Sequence, residues 1–155
     1  MSKETVWFIT GASRGFGRSF VEYALEKGYK VVATARKVNK LSDLTEKYNK
    51  DQLLTLTLDV TSSYDITNAI EETYKTFGHI NVLISNAGFN MIGPVEEVTD
   101  EQIRQVFEIN FFGAIELIRK ILPYMRDQGY GTIVQVSSVQ GTVPVSVVFK
   151  VLFFF

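Results

Sequence analysis

Between the tenth and seventeenth positions the chain reads Thr10-Gly11-Ala12-Ser13-Arg14-Gly15-Phe16-Gly17. Glycines at this spacing let the backbone turn sharply, and they let a bulky anion reach main-chain N–H groups that side chains would otherwise shield. The run follows the short apolar stretch Val6-Trp7-Phe8-Ile9 and opens a segment with helical patterning. A loop in that place delivers a helix N-terminus, whose unpaired N–H groups and dipole attract phosphate. Strand, tight glycine turn and helix together suit the pyrophosphate of a dinucleotide. The candidate contacts are Gly11, Ser13, Arg14, Gly15, Phe16 and Gly17. A second β-rich run from Lys30 ends on Thr34-Ala35-Arg36. An acidic residue at such a strand end binds the ribose 2′-hydroxyl of NAD. Here there is none, and Arg36 with Arg14 can hold a 2′-phosphate through charge-assisted hydrogen bonds. NADP is therefore expected over NAD, the other reading being that both arginines are solvated surface residues.

Four further motifs follow in order. They are Asp59-Val60 after Leu53 to Leu58, Asn86-Ala87-Gly88 after Asn81 to Ser85, Asn110 within Glu108-Ile109-Asn110-Phe111-Phe112-Gly113, and Ser137-Ser138 after Thr132 to Val136. With the glycine spacing Thr-Gly-x-x-x-Gly-x-Gly, they resemble the short-chain dehydrogenase/reductase family from the start of the chain to about Ser138. Ser85 departs mildly from the pattern, since family members often carry asparagine there. The resemblance implies a Rossmann-like fold and reversible hydride transfer between a nicotinamide and a small alcohol or carbonyl substrate. It implies that Asp59 contacts the adenine, with Val60 beside it, and that the backbone of Asn86, Ala87 and Gly88 lines the cofactor cleft. Taken alone, Asp59 also reads as a helix or turn cap and Asn86-Ala87-Gly88 as a plain turn. Ser138 would polarise the substrate oxygen and Asn110 would hold a water of the proton relay. Their bland counterparts are a post-strand turn serine and a helix asparagine with a local bond.

The family's acid/base pair is a tyrosine and a lysine that lowers its pKa. At the family spacing these would fall near Val151 and Phe155, and no tyrosine follows Tyr130. A Tyr-x-x-x-Lys does occur at Tyr23 to Lys27, on the helix that opens with the glycine loop, where it reads as a surface pair. Beyond Gly141 the sequence matches no family motif. The chain is expected to comprise a C-terminally incomplete nucleotide-binding domain over 1–141 and an atypical apolar tail over 142–155. That tail is too short to span a bilayer; a membrane or partner anchor is the other reading of it. A truncated or frame-altered oxidoreductase with impaired catalysis is the leading expectation. A non-catalytic nucleotide-binding module and an inert fragment are the alternatives. For full-length family members the resemblance implies a homodimer or tetramer, an inference that does not carry over to this chain.

Composition narrows the field. A net charge of −1 over 155 residues offers no basic field for nucleic acid. The absence of cysteine rules out disulfides and thiolate metal ligands. His79 is the sole histidine and is read as structural, so no metal site is expected. Met1 to Glu4 lead straight into the first apolar run, leaving no room for a signal peptide, and a cytoplasmic setting is expected.

Positioning these residues requires alternating strands and helices. Apolar runs predict strands at about 5–10, 30–35, 53–58, 81–85 and 131–136, and helical periodicity predicts helices at about 15–27, 41–49, 65–77 and 100–126. The pattern is that of repeated βαβ units, giving an α/β fold with a doubly wound parallel sheet in three layers, α/β/α. Pro123 is expected to kink or weaken the last helix near Leu122.

Overall fold

The computed structural model describes residues 4–91 and 94–138. Five strands, β1 (Val6–Ile9), β2 (Lys30–Ala35), β3 (Leu53–Thr57), β4 (Val82–Ser85) and β5 (Thr132–Gln135), form one parallel sheet in the order β3-β2-β1-β4-β5. Parallel neighbours cannot be joined by tight hairpins and need crossovers. These are supplied by α1 (Gly15–Glu26), α2 (Ser42–Lys47), α3 (Ser63–Phe77), α4 (Asp100–Phe107) and α5 (Ala114–Asp127). The strand order and flanking helices make this a doubly wound, Rossmann-like α/β fold.

The register explains why both faces are covered. Leu54, Val32, Phe8, Leu83 and Ile133 stand side by side across all five strands. They join one core with Ile66 and Ile70 of α3 and Leu117 and Ile121 of α5. One residue further along, Ile9, Ala33 and Ile84 point the other way, against Val21, Ala24 and Leu25 of α1 and against Leu41 and Leu44. The period-two alternation of a strand is thus buried on both sides, which accounts for the continuous apolar runs. Fully burying each such side chain contributes roughly 1.5–3 kcal/mol.

Two helix starts are closed by side chains. Ser62 accepts a hydrogen bond from the Asp65 N–H at the head of α3, and Thr99 forms a reciprocal capping box with Gln102 at α4. α1 is different. Arg14 precedes it in an extended conformation with no side-chain cap, and its first turn holds no acid.

The single helix expected over 100–126 is three pieces. α4 ends at Phe107, a wide π turn spans Glu108–Gly113, and α5 continues from Ala114 through Pro123 to Asp127. The irregularity therefore lies a dozen residues before the proline. Close packing at Gly113 accompanies it, since a Cβ there would sit 2.6 Å from the Val60 carbonyl oxygen. The tail expected at 142–155 lies outside the described residues.

Candidate functional site

The chain leaves β1 and β4, neighbours at the centre of the sheet, into loops that diverge, and a crevice opens beyond their carboxyl ends. Thr10, fully buried, directly follows β1. Its Oγ1 accepts the N–H groups of Asn86 and Ala87, both at 3.0 Å, while its own N–H donates to the Ile84 carbonyl at 3.0 Å. Asn86 answers with its side chain, Nδ2 donating to the Thr10 carbonyl at 2.9 Å and to that of Gly11 at 3.4 Å. The two loops are thereby laced together.

The glycines are demanded by this lacing. Gly11 and Gly15 have φ of +68° and +58°, a region costly for residues with a Cβ. A Cβ on Gly17 would collide with the Gly11 carbonyl oxygen and with Asn86 Nδ2. What results is a bare backbone turn ahead of an uncapped helix start, the surroundings a phosphate group fits.

A cleft of about 350 Å³ lies over the turn. Every residue expected to hold a nucleotide lines it except Gly17, which sits buried beneath: Gly11, Ser13, Arg14, Gly15, Phe16, Arg36, Asp59, Val60, Asn86, Ala87 and Gly88. Arg14 and Arg36 are exposed at its rim, and Phe16 is 74% exposed. Ala35, Leu58, Phe89 and Ile109 also line the cleft and were not anticipated. Asp59 is at once a cleft residue and a turn cap, because its Oδ1 accepts from the Thr61 N–H at 3.0 Å and from the Thr61 hydroxyl at 2.8 Å.

A second hollow of about 270 Å³ shares the wall Asn86-Ala87-Gly88-Phe89 and is completed by Asn90, Asn110 and Gln135 to Ser138. The fold thus brings Asn110 and Ser138 to one hollow next to the cleft, although 28 positions separate them. Asn110 sits in the π turn and grips the backbone of Phe89 with both ends of its amide. Its Oδ1 accepts the Phe89 N–H at 2.8 Å and its Nδ2 donates to the Phe89 carbonyl at 2.7 Å. Wide turns of this kind re-aim a side chain, and they recur at functional positions.

These features match known proteins. The family model for short chain dehydrogenase matches residues 5–149. The chain belongs to the short-chain dehydrogenase family. Among similar proteins, an oxidoreductase of Botryotinia fuckeliana is 38% identical over 138 residues, covering 89% of this chain and 50% of that protein. A 3-ketodihydrosphingosine reductase of Bacteroides thetaiotaomicron is 35% identical, covering 86% of this chain and 46% of that one. A crystal structure of a short-chain dehydrogenase from Streptomyces avermitilis superposes with a TM-score of 0.87 at 38% identity, over 92% of this chain and 52% of the other. The chain spans about half the length of the curated relatives it matches.

Membership of this family implies an NAD(P) cofactor. The pair Tyr23 on α1 and Lys27 just after it lies outside both hollows. Tyr23 is 53% exposed and the Lys27 ammonium rests 5.6 Å from its ring centroid, a surface pair. His79 donates from Nε2 to the Glu4 carbonyl at 2.9 Å, joining the segments that lead into β4 and β1. No described helix is long and apolar enough to cross a membrane. Sequence reasoning passed over Thr10 as a residue in its own right. The signal was its place directly before Gly11, where a small buried hydroxyl can serve two loops.

Proposed function

We propose that this chain binds NADP(H) in the cleft above the glycine turn and belongs to an oxidoreductase of alcohol or carbonyl substrates. The observation that carries the reading is the rim of the cleft, which both Arg14 and Arg36 line and where the end of β2 offers no carboxylate to a ribose 2′-hydroxyl. Two guanidinium groups suit a 2′-phosphate, which each can grip through paired N–H donors. The bare turn and open start of α1 would receive the pyrophosphate, and Asp59 the adenine end. The bound nicotinamide would supply a hydride. Ser138 would donate to the substrate oxygen in the adjoining hollow. Both ends of the Asn110 amide are engaged by Phe89, and Asn110 so held would bind the relay water. Domain limits of 1–141, an alcohol- or carbonyl-bearing small molecule as substrate, and a cytoplasmic setting belong to the same reading.

NADPH is expected to bind more tightly than NADH by roughly 1–3 kcal/mol, the worth of charge-assisted contacts to a phosphate. Arg36→Asp should reverse the preference, because the carboxylate repels the 2′-phosphate and accepts the 2′-hydroxyl. Equal affinities by titration calorimetry, unmoved by the substitution, would refute the assignment.

A second reading has its own observation. Among the described residues, neither hollow is lined by a tyrosine or lysine. General acid–base groups typically supply about 10²–10⁴-fold in rate. On that basis the described residues serve as a nucleotide-binding module, the acid–base groups lying outside them.

A further inference from the structure

Arg18 lies one turn into α1, and its side chain is only 21% exposed. Its Nη1 donates to Asp43 Oδ1 at 3.0 Å, its Nη2 to Asp43 Oδ2, and its Nε to Glu22 Oε1 at 2.8 Å. This is a two-pronged clasp between α1 and the first turn of α2, with Glu22 keeping the guanidinium in plane. The elements it joins are those that carry the two rim arginines. Arg14 is the residue preceding α1, and the Arg18 N–H points back to the Arg14 carbonyl at 3.4 Å. Arg36 begins the connection from β2 to α2, which is anchored by the buried Leu41 and Leu44 on either side of Asp43. Residues 36–40 are themselves exposed; the short turn Val38–Leu41 rests on β2 and β3, and the clasp ties the start of α2, which follows it, to α1.

We propose that the Arg18–Asp43 clasp sets the separation of Arg14 and Arg36 and so governs discrimination between NADPH and NADH, Arg18 and Asp43 being positioning residues that touch no nucleotide. The inference rests on the NADP(H) reading above. An exposed ion pair would ordinarily contribute little. A bidentate arginine–carboxylate pair fixes direction as well as distance, and that is the property a two-arginine phosphate site needs.

The test is a set of NADPH and NADH titrations on the 155-residue chain, comparing wild type with Asp43→Asn, Arg18→Lys, Arg36→Ala and the Arg36→Ala/Asp43→Asn pair. Circular dichroism would check that each variant is folded. Asp43→Asn and Arg18→Lys are expected to raise the NADPH Kd by about five- to tenfold, a coupling of ordinary size. The NADH Kd should move less than twofold, and Asp43→Asn should add nothing once Arg36 is alanine. A clasp that only supports the fold would weaken both cofactors alike, and that result overturns the proposal. If Arg36→Ala lowers NADPH affinity while Asp43→Asn and Arg18→Lys do not, positioning by the clasp is refuted and the NADP(H) reading stands. If Arg36→Ala changes nothing, both fail together.

Discussion

Gly17 shows how much one missing methyl group decides. Its neighbours are the Gly11 carbonyl and the Asn86 amide, both fixed by the lacing of the two loops, so a Cβ has nowhere to go. Gly17→Ala is expected to lower stability by about 1–3 kcal/mol, the usual penalty of overpacking, and to weaken NADPH binding at least tenfold. Thermal unfolding and calorimetric titration would read the two effects separately. Asp43 offers a test in pH. The hydrogen bonds from Arg18 hold its carboxyl below the ordinary value of 3.8, with the Arg18 charge acting in the same direction. A lowered folded-state pKa means that the unfolded chain takes up the proton first. The clasp's contribution is therefore complete above the ordinary value and disappears as pH falls through the lowered one. Asp43→Asn should flatten the acid limb of a plot of melting temperature against pH while leaving its slope near neutrality unchanged. An unaltered acid limb would show that the clasp does not survive in solution.

At the scale of elements, the decisive feature is the π turn between α4 and α5. A straight helix from Asp100 to Asp127 would present Asn110 differently. The wide turn instead brings its amide to Phe89 and lets Gly113 settle on Val60. Val60 and Phe89 both line the cleft. Gly113→Ala pushes a methyl to within 2.6 Å of the Val60 carbonyl oxygen, and it should cost about 1–3 kcal/mol and reduce nucleotide affinity as well. Thr99→Ala makes a useful contrast. It removes the capping box at the start of α4, with an expected loss of about 1 kcal/mol and no change in NADPH Kd, since Thr99 lines neither hollow. Chemical denaturation paired with titration would separate them. Equal losses of affinity in the two variants would mean that the π turn has no special link to the cleft.

At the scale of the whole molecule, β5 forms one edge of the sheet among the described residues. It pairs with β4 on one side and with no other described strand, and Val134 is 39% exposed where its row partner Ile84 is buried. An edge with no described neighbour and an apolar residue invites pairing with another strand. Concentration-dependent association is expected, and Val134→Lys should suppress it, as lysines on natural edge strands do. Light scattering over a concentration series would decide the matter, with a wild-type chain that stays monomeric at every concentration refuting the expectation.

What the chain determined by itself was set by local chemistry and by period. Apolar runs of four to six residues alternating with helical faces specified the doubly wound sheet, because a parallel strand buried on both faces has that pattern and little else does. The glycine spacing specified the turn, because positive φ and a missing Cβ are properties of single residues. The residues that meet in the cleft were legible for the same reason: strand ends in such a sheet point to one crevice. Other features were decided only by packing. Helical periodicity from Ile103 to Leu122 is satisfied by a continuous helix or by one with a wide turn, and Pro123, the visible breaker, is accommodated within α5. Asn86 and Asn110 looked like a turn residue and a helix residue, yet each spends its side chain on a backbone segment brought near by the fold, Thr10 and Gly11 for one and Phe89 for the other. The clasp of Arg18 on Asp43 is of this kind too. Partners 21 to 76 positions apart are chosen by how helices settle on the sheet, and no local preference records that choice.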